Sequence, residues 1–195
     1  MIEGKEYIDS FVFNPHKWMF TNFDCSVYFV KDAEALIKTF EILPEYLKTR
    51  TRGEVNDYRD WGIPLGRRFR ALKLWFVMRY YGLEKLMDMV RDHITLASDL
   101  ALTIESNDSF EILAPTPLNT VVFRFNPGSI EDTELNALNQ KLNHILNDTG
   151  KVYLTHTVLN GKYALRMVTS QTNVESRHVN AAWELILKHS KELVD

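Results

Sequence analysis

Hydrophobic residues along this 195-residue chain follow strand spacing in some segments and helix spacing in others. Short apolar runs at residues 11–13 and 25–30 predict two strands, and residues 34–40 predict a short helix. From residue 69 the apolar positions recur every three or four residues, which predicts an amphipathic helix. Gly82 interrupts this pattern, and a second helical pattern continues through residue 104. The first half of the chain therefore has the mixed pattern of an α/β protein.

Beyond residue 107 the pattern predicts a smaller α+β unit with its own core. Strands are predicted at 110–113 and 120–125, the second with Val121, Phe123 and Phe125 on one face. Asp132 or Thr133 would cap a helix that Gly150 would end. Its apolar face would carry Leu135, Leu138, Leu142 and Ile145.

Two local signals organise the last fifty residues. Asn160-Gly161 separates strand patterns at 151–158 and 162–168, and both residues accept a positive φ, so a β-hairpin is predicted. Thr172-Asn173-Val174-Glu175 has the form of a capping box that opens the last helix. That helix would bury Val179, Ala182, Trp183 and Ile186.

Composition places the chain among globular proteins. Hydrophobic residues make up 45% and charged residues 25%, and the net charge is −3, which is typical of neither a disordered chain nor a polyanion-binding one. No membrane-spanning run and no signal-peptide pattern is found. The single cysteine, Cys25, cannot form an internal disulfide, and we therefore expect a reducing cytoplasm.

A candidate chemical motif follows the first strand. Asn14-Pro15-His16-Lys17-Trp18 places a lysine amine directly after a histidine, past an apolar run. A lysine that forms a Schiff base must lose its proton, which desolvation or neighbouring positive charge favours. On its own the motif also fits a structural loop with an exposed lysine, since Asn and Pro are turn formers.

Further motifs follow in order. After N-P-H-K-W come D-C-S, then P-E-Y-L-K, then D-Y-R-D-W-G-I-P-L-G-R-R-F-R. Together they resemble the group II pyridoxal-phosphate-dependent amino acid decarboxylases, and most of all the aromatic branch of that family. The resemblance implies the C-terminal part of a fold-type I large domain at residues 1–75. A small α+β C-terminal domain would follow at 76–195.

The resemblance also implies roles for particular residues. Lys17 would hold pyridoxal 5'-phosphate as a Schiff base, and Asn14 and His16 would contact the phosphate side of the cofactor or the wall of the active site. Tyr46 matches a tyrosine on a mobile loop that protonates the substrate after carbon dioxide leaves. The predicted loop at 43–61, which is polar and rich in arginine, agrees with this. Phe23 and Gly66 would shape the substrate pocket, with Gly66 reaching across a dimer interface.

Length is the main departure from the family pattern. Family members are more than twice as long, and the residues that bind the pyridine nitrogen and most of the phosphate have no counterpart here. We therefore expect the isolated chain to be inactive without a homodimer partner or an N-terminal half from another chain. Two alternatives stay open: a non-catalytic assembly module, and an aldehyde-forming relative of the decarboxylases, which Tyr46 disfavours.

Other classes of function find less support. A local excess of arginine can bind nucleic acid, but aromatic residues are not interleaved with it, so domain or subunit salt bridges are the favoured interpretation. Its basic residues are Lys48, Arg50, Arg52, Arg59, Arg67, Arg68 and Arg70. The six histidines have no metal-ligand spacing, and we expect no metal site.

Overall fold

The computed structural model describes residues 3–42 and 54–194. By its internal contacts the chain divides into two compact units, Met1–Gly82 and Leu83–Asp195. We call these unit 1 and unit 2 and describe each by itself. That the division corresponds to the two domains expected from the sequence stays a prediction.

Unit 1 is built on a two-stranded antiparallel sheet. Strand β1 is Ser10–Phe13 and strand β2 is Val27–Val30, with Phe11 opposite Phe29 and Phe13 opposite Val27. A one-turn helix, α1 (Pro15–Trp18), follows β1 directly. Helix α2 (Ala33–Phe40) begins where the Asp32 carboxylate accepts a hydrogen bond from the Ala35 amide at 3.0 Å. Short 3-10 turns lie at Lys5–Tyr7 and Tyr58–Trp61.

Helix α3 (Arg70–Glu105) is interrupted at Gly82, as the sequence pattern predicts. Gly82 has φ 72° and ψ 169°, a conformation that glycine adopts without the steric cost that a Cβ imposes. The segment before this break lies in unit 1 and the segment after it lies in unit 2.

Unit 2 contains a four-stranded antiparallel sheet in the order β3-β4-β6-β5. The strands are β3 (Phe110–Ile112), β4 (Thr120–Phe125), β5 (Thr155–Leu159) and β6 (Lys162–Val168). The predicted hairpin joins β5 to β6, and both turn residues have a positive φ, 49° at Asn160 and 80° at Gly161. Strand β5 is shorter than the pattern predicts, since residues 151–154 precede it.

The core of unit 2 lies on one face of this sheet. The face predicted to be buried in β4 is confirmed, because Val121, Phe123 and Phe125 are all buried, although Arg124 on the opposite face is buried as well. Trp183 packs edge to face on Phe110, with ring centroids 4.8 Å apart. The helices that supply the rest of this core are the second part of α3, α4 (Asp132–Asp148) and α5 (Ser176–Lys191).

The predicted N-caps of both helices in unit 2 are wrong, by one or two residues at α4 and by three at α5. The N-cap of α4 is Glu131, and the carboxylate of Asp132 instead lies 2.9 Å from the guanidinium of the buried Arg124. The capping box of α5 is formed by Glu175 and His178. Thr172 does not cap it, because Val174 closes a turn on the Gln171 carbonyl first and delays the helix.

A row of asparagines along α4 was missed by the sequence pattern. Their side-chain amides bind the sheet: Asn136 binds the backbone of Gly161 and Tyr163, Asn139 that of Phe125, Asn143 the Tyr163 hydroxyl, and Asn147 the backbone of Leu154. Asn139 is fully buried. Because the spacing is three or four residues, these polar side chains share one helix face with apolar ones.

Candidate functional site

The predicted chemical motif lies where β1 ends. Asn14 is the N-cap of α1 and Pro15 is its first residue, a position that suits proline because no amide donor is needed there. The Lys17 amide donates to the Asn14 carbonyl at 2.9 Å. Pro15 is buried, His16 and Asn14 are half-buried, and Lys17 is exposed. Within the described part of the chain, no hydrogen bond or ion pair engages the Lys17 ammonium.

His16 is anchored to Cys25, which lies two residues before β2. Its Nδ1 lies 2.7 Å from the Cys25 carbonyl oxygen and 3.0 Å from the Cys25 backbone nitrogen. The Phe23 ring packs against the His16 ring at an interplanar angle of 70°, with centroids 4.9 Å apart. Whichever tautomer the ring takes, Nδ1 binds the Cys25 backbone, and Nε2 is the nitrogen that can meet a ligand.

Asn14 is anchored by Ser26, the residue that follows Cys25. The Ser26 hydroxyl donates to Asn14 Oδ1 at 2.5 Å. An asparagine amide has one acceptor oxygen and a nitrogen with two donor hydrogens. With the oxygen bound to Ser26, the amide group has a defined orientation.

Asp24 pairs with two of the arginines in the predicted cluster. Its carboxylate binds Arg68 through one oxygen and Arg70 Nε through the other, the latter at 3.0 Å. Partial burial raises the pKa of Asp24, but its own backbone hydrogen bond, the Arg70 hydrogen bond and both positive charges together hold that pKa below its ordinary value of 3.8. The Asp24 carboxylate is therefore stabilised in its ionised form by its pairing with Arg68 and Arg70.

A cleft of about 690 Å³ lies beside these residues in unit 1. Ser26 lines it, so the cleft borders the Asn14 side of the motif. Its other walls are residues 25–28, Tyr58, residues 67–71 and Leu74. Three arginines, Arg67, Arg68 and Arg70, lie on this wall against the single negative charge of Asp24, so the cleft is basic and suited to a negatively charged group.

The structure brings one further predicted site residue, Phe23, to the motif. Phe23 is 82% exposed, and its ring contacts the His16 ring. Gly66 is in an exposed segment before α3, with open space where a Cβ would stand. Tyr46 lies outside the described residues. Arg59, a further member of the arginine cluster, pairs with Asp57 and Asp60 at 3.7 and 3.4 Å.

Ser26 and Cys25 were missed as site residues by the sequence analysis. They lie nine to twelve positions from their partners, and only the antiparallel pairing of β1 with β2 brings them together. The pairing of Phe13 with Val27 places Asn14 opposite Ser26, so a predicted hairpin register would have been the available signal.

Within the described residues, no helix is long and apolar enough to cross a membrane. The same residues contain no group of three His, Cys, Asp or Glu side chains arranged to hold a metal ion.

Comparison with known proteins decides the family. The family model described as "Pyridoxal-dependent decarboxylase conserved domain" matches residues 1–126. This chain belongs to the pyridoxal-dependent decarboxylases. The family predicted from the motifs around Lys17 is thereby confirmed.

Relatives of this decarboxylase chain include plant enzymes of aromatic amino acid metabolism. Tyrosine decarboxylase 3 of Petroselinum crispum is 40% identical over 200 residues, covering 100% of the chain and 39% of the relative. Tryptophan decarboxylase 2 of Oryza sativa subsp. japonica is 43% identical over 187 residues, covering 95% of the chain and 38% of the relative. Phenylacetaldehyde synthase of Arabidopsis thaliana is 42% identical over 195 residues, covering 99% and 40%. The chain thus spans about two-fifths of the length of these relatives.

Solved structures confirm the predicted fold class. Oryza sativa TDC with PLP and tryptamine superposes with a TM-score of 0.94 at 38% identity, covering 99% of this chain and 41% of that one. Rhodiola rosea 4-hydroxyphenylacetaldehyde synthase gives a TM-score of 0.87 at 30% identity, covering 99% and 39%. The fold is that of part of a pyridoxal-phosphate decarboxylase.

Proposed function

We propose that this chain supplies the cofactor-binding lysine of an enzyme that decarboxylates an aromatic amino acid to its amine and carbon dioxide. The observation that carries the proposal is Lys17, an exposed amine that is unpaired within the described residues and follows two anchored polar residues, Asn14 and His16. Identities of 40 and 43% to tyrosine and tryptophan decarboxylases over nearly the whole chain support it.

The residues at this site fit pyridoxal 5'-phosphate by their chemistry. Lys17 offers an amine for the aldehyde, and Asn14 offers amide hydrogens for a phosphate oxygen. His16 offers Nε2 beside them. When bound, the cofactor supplies an aldehyde that condenses with amines and a ring that withdraws electrons from the bond to be broken.

Each residue of the chain then has a separate task. Lys17 holds the cofactor and yields it to the incoming substrate amine, while Asn14 and His16 orient it. Tyr46 donates a proton to the substrate α-carbon after carbon dioxide has left, as a general acid in a site closed to bulk water. Phe23 and Gly66 bound the pocket for the aromatic side chain.

The proposed enzyme needs more polypeptide than this chain. An acidic partner for the pyridine nitrogen is required, and Asp24 does not suit that task because its carboxylate binds Arg68 and Arg70. We propose that it comes from an N-terminal half, within a homodimer.

The exposed surface of the unit 1 sheet supports this assembly. Two-stranded sheets are marginal alone, and strands that are apolar on both faces are typical of a sheet covered on both sides. In unit 1, Val12 and Phe29 remain 60% and 58% exposed, and their neighbours Phe11 and Tyr28 are exposed as well. A reducing, cytoplasmic setting completes the proposal.

Covalent labelling tests the lysine assignment. The chain is mixed with pyridoxal phosphate and reduced with borohydride, and the adduct is located by peptide mass. We expect the adduct on Lys17, its loss in Lys17→Ala, and no change in Lys73→Ala. An adduct on other lysines but never on Lys17, including in the presence of an N-terminal half, would refute the assignment.

Product analysis separates decarboxylation from the two alternatives. The chain is combined with the part of Oryza sativa tryptophan decarboxylase 2 that it does not match, and tyrosine or tryptophan is added. We expect amine and carbon dioxide in equal amounts from the wild type. Aldehyde in place of amine would favour the activity named for phenylacetaldehyde synthase. A stable complex that yields neither product would favour a non-catalytic assembly module.

A further inference from the structure

Two adjacent residues before β2, Cys25 and Ser26, hold the two polar side chains that precede Lys17. The Ser26 hydroxyl donates to Asn14 Oδ1 at 2.5 Å, and the Cys25 backbone binds His16 Nδ1 at 2.7 and 3.0 Å. The His16 amide also donates to the Cys25 carbonyl at 3.3 Å. The turn that carries Lys17 is therefore hydrogen-bonded, through the residues on both sides of Pro15, to the two residues that precede β2.

The contact from Ser26 decides which end of the Asn14 amide can meet a ligand. A free asparagine side chain rotates between two orientations that differ by exchange of its oxygen and its NH2 group. Because the Ser26 hydroxyl donates to Oδ1, the oxygen faces Ser26 and the opposite side of the amide, Nδ2 with its two hydrogens, faces away from Ser26. That nitrogen carries the only donors of the side chain, and a phosphate oxygen accepts only from a donor.

We propose that Ser26 is a positioning residue that presents the Asn14 NH2 group to the phosphate of pyridoxal phosphate. Ser26 contacts Asn14 and acts through it. The inference rests on the proposed function, because it assumes that the phosphate binds on this side of Lys17. It adds a residue that the motif around Lys17 does not contain.

Comparing two ligands tests this role without measuring catalysis. Pyridoxal phosphate and pyridoxal differ only in the phosphate, and borohydride trapping on Lys17 over a range of concentrations gives an apparent affinity for each. A hydrogen bond to a charged group is worth roughly tenfold or more in affinity. We therefore expect the apparent affinity for pyridoxal phosphate to fall by about tenfold in Asn14→Ala and by about three- to fivefold in Ser26→Ala. Pyridoxal affinity should change in neither variant, and Ser26→Thr, which keeps the hydroxyl, should bind as the wild type does.

A double-mutant comparison shows whether Ser26 acts through Asn14. If it does, Ser26→Ala weakens pyridoxal phosphate in the wild-type background and has no further effect in the Asn14→Ala background. The proposal would be overturned if Ser26→Ala lowered the affinity for pyridoxal phosphate equally in both backgrounds. It would also be overturned if Ser26→Ala lowered the affinities for pyridoxal and for pyridoxal phosphate equally. Circular dichroism melting of each variant identifies any that fails to fold, and Ser26→Thr then decides the role of the hydroxyl.

A measurement without cofactor keeps this inference separate from the proposed function. The side-chain amide of Asn14 gives its own pair of NMR signals, whose heteronuclear NOE reports motion on the fast timescale. We expect an ordered amide in the wild type and Ser26→Thr, and a mobile one in Ser26→Ala. An equally ordered amide in Ser26→Ala would overturn the positioning role. Absence of any Lys17 adduct, with the amide ordered by Ser26, would instead count against the proposed function.

Discussion

Replacing Asn139 by alanine should destabilise unit 2 far more than its single amide group implies. Asn139 is completely buried in α4, and its side chain makes three hydrogen bonds of 2.8 Å. Two of them join the N–H and the C=O of Phe125, at the end of β4, and the third reaches the Leu135 carbonyl. The substitution removes the partners of both Phe125 groups in a place that water does not reach.

The size of the effect follows from those two groups. A buried polar group that loses its partner costs about 1–3 kcal/mol, so two of them predict a loss of about 2–6 kcal/mol in the free energy of unfolding. The Leu135 carbonyl loses less, because it also accepts the usual backbone bond within the helix.

Asn136 provides the matched control. It makes the same kind of contact one turn earlier, with the Gly161 carbonyl at 2.7 Å and the Tyr163 amide at 2.6 Å, but it is only half-buried. Water can replace its amide, and we expect Asn136→Ala to cost less than about 1.5 kcal/mol, the net value of an ordinary hydrogen bond.

Urea unfolding followed by circular dichroism measures both losses, and hydrogen exchange of the Phe125 amide reports the local one. Protection of that amide should fall in Asn139→Ala and stay in Asn136→Ala. The reasoning fails if the two variants lose equal stability, because burial would then not be what makes the Asn139 bonds valuable.

Three further predictions concern charge and backbone. Burial chiefly lowers the pKa of His93, against smaller upward effects of Asp92 and a backbone hydrogen bond of Gln171, so protonation favours the unfolded chain. The free energy of unfolding should therefore decline as the pH falls below about 6.5, the ordinary histidine pKa, and it should decline less steeply in His93→Gln. The same pH dependence of unfolding in the two proteins would disprove this. The Asp24 carboxyl should titrate below 3.8 by carbon NMR and move back up in Arg70→Ala, whereas an unmoved titration would exclude the ion pair as a cause. Gly161→Ala should lower stability by about 1 kcal/mol, since φ is 80° there, and an unchanged urea midpoint would contradict it.

Local signals predicted those parts of the fold in which one or a few neighbouring residues decide the conformation. Gly82 interrupts α3 and Asn160-Gly161 turns the hairpin, because the backbone angles at these positions suit glycine and asparagine. The alternation of β4 predicted its buried face correctly, since strand periodicity is a property of the backbone itself.

The helix starts show where local signals fail. Asp132 is as good an N-cap residue as Glu131 or better, yet its carboxylate binds Arg124, which β4 brings from another part of the chain. Likewise Asn139 has a polar side chain on what the pattern treats as an apolar face. The tertiary contact with the end of β4 makes the burial of Asn139 favourable. The spacing of residues along the helix does not predict that contact.

The candidate site divides in the same way. The sequence by itself determined the chemistry available, an amine at Lys17 preceded by Asn14 and His16, because residue types and their order are sufficient to predict the family. Only the tertiary structure decided how those side chains are held. The antiparallel pairing of β1 and β2 brings Cys25 and Ser26 against residues nine to twelve positions away, and hydrogen bonds formed across that distance depend on strand register.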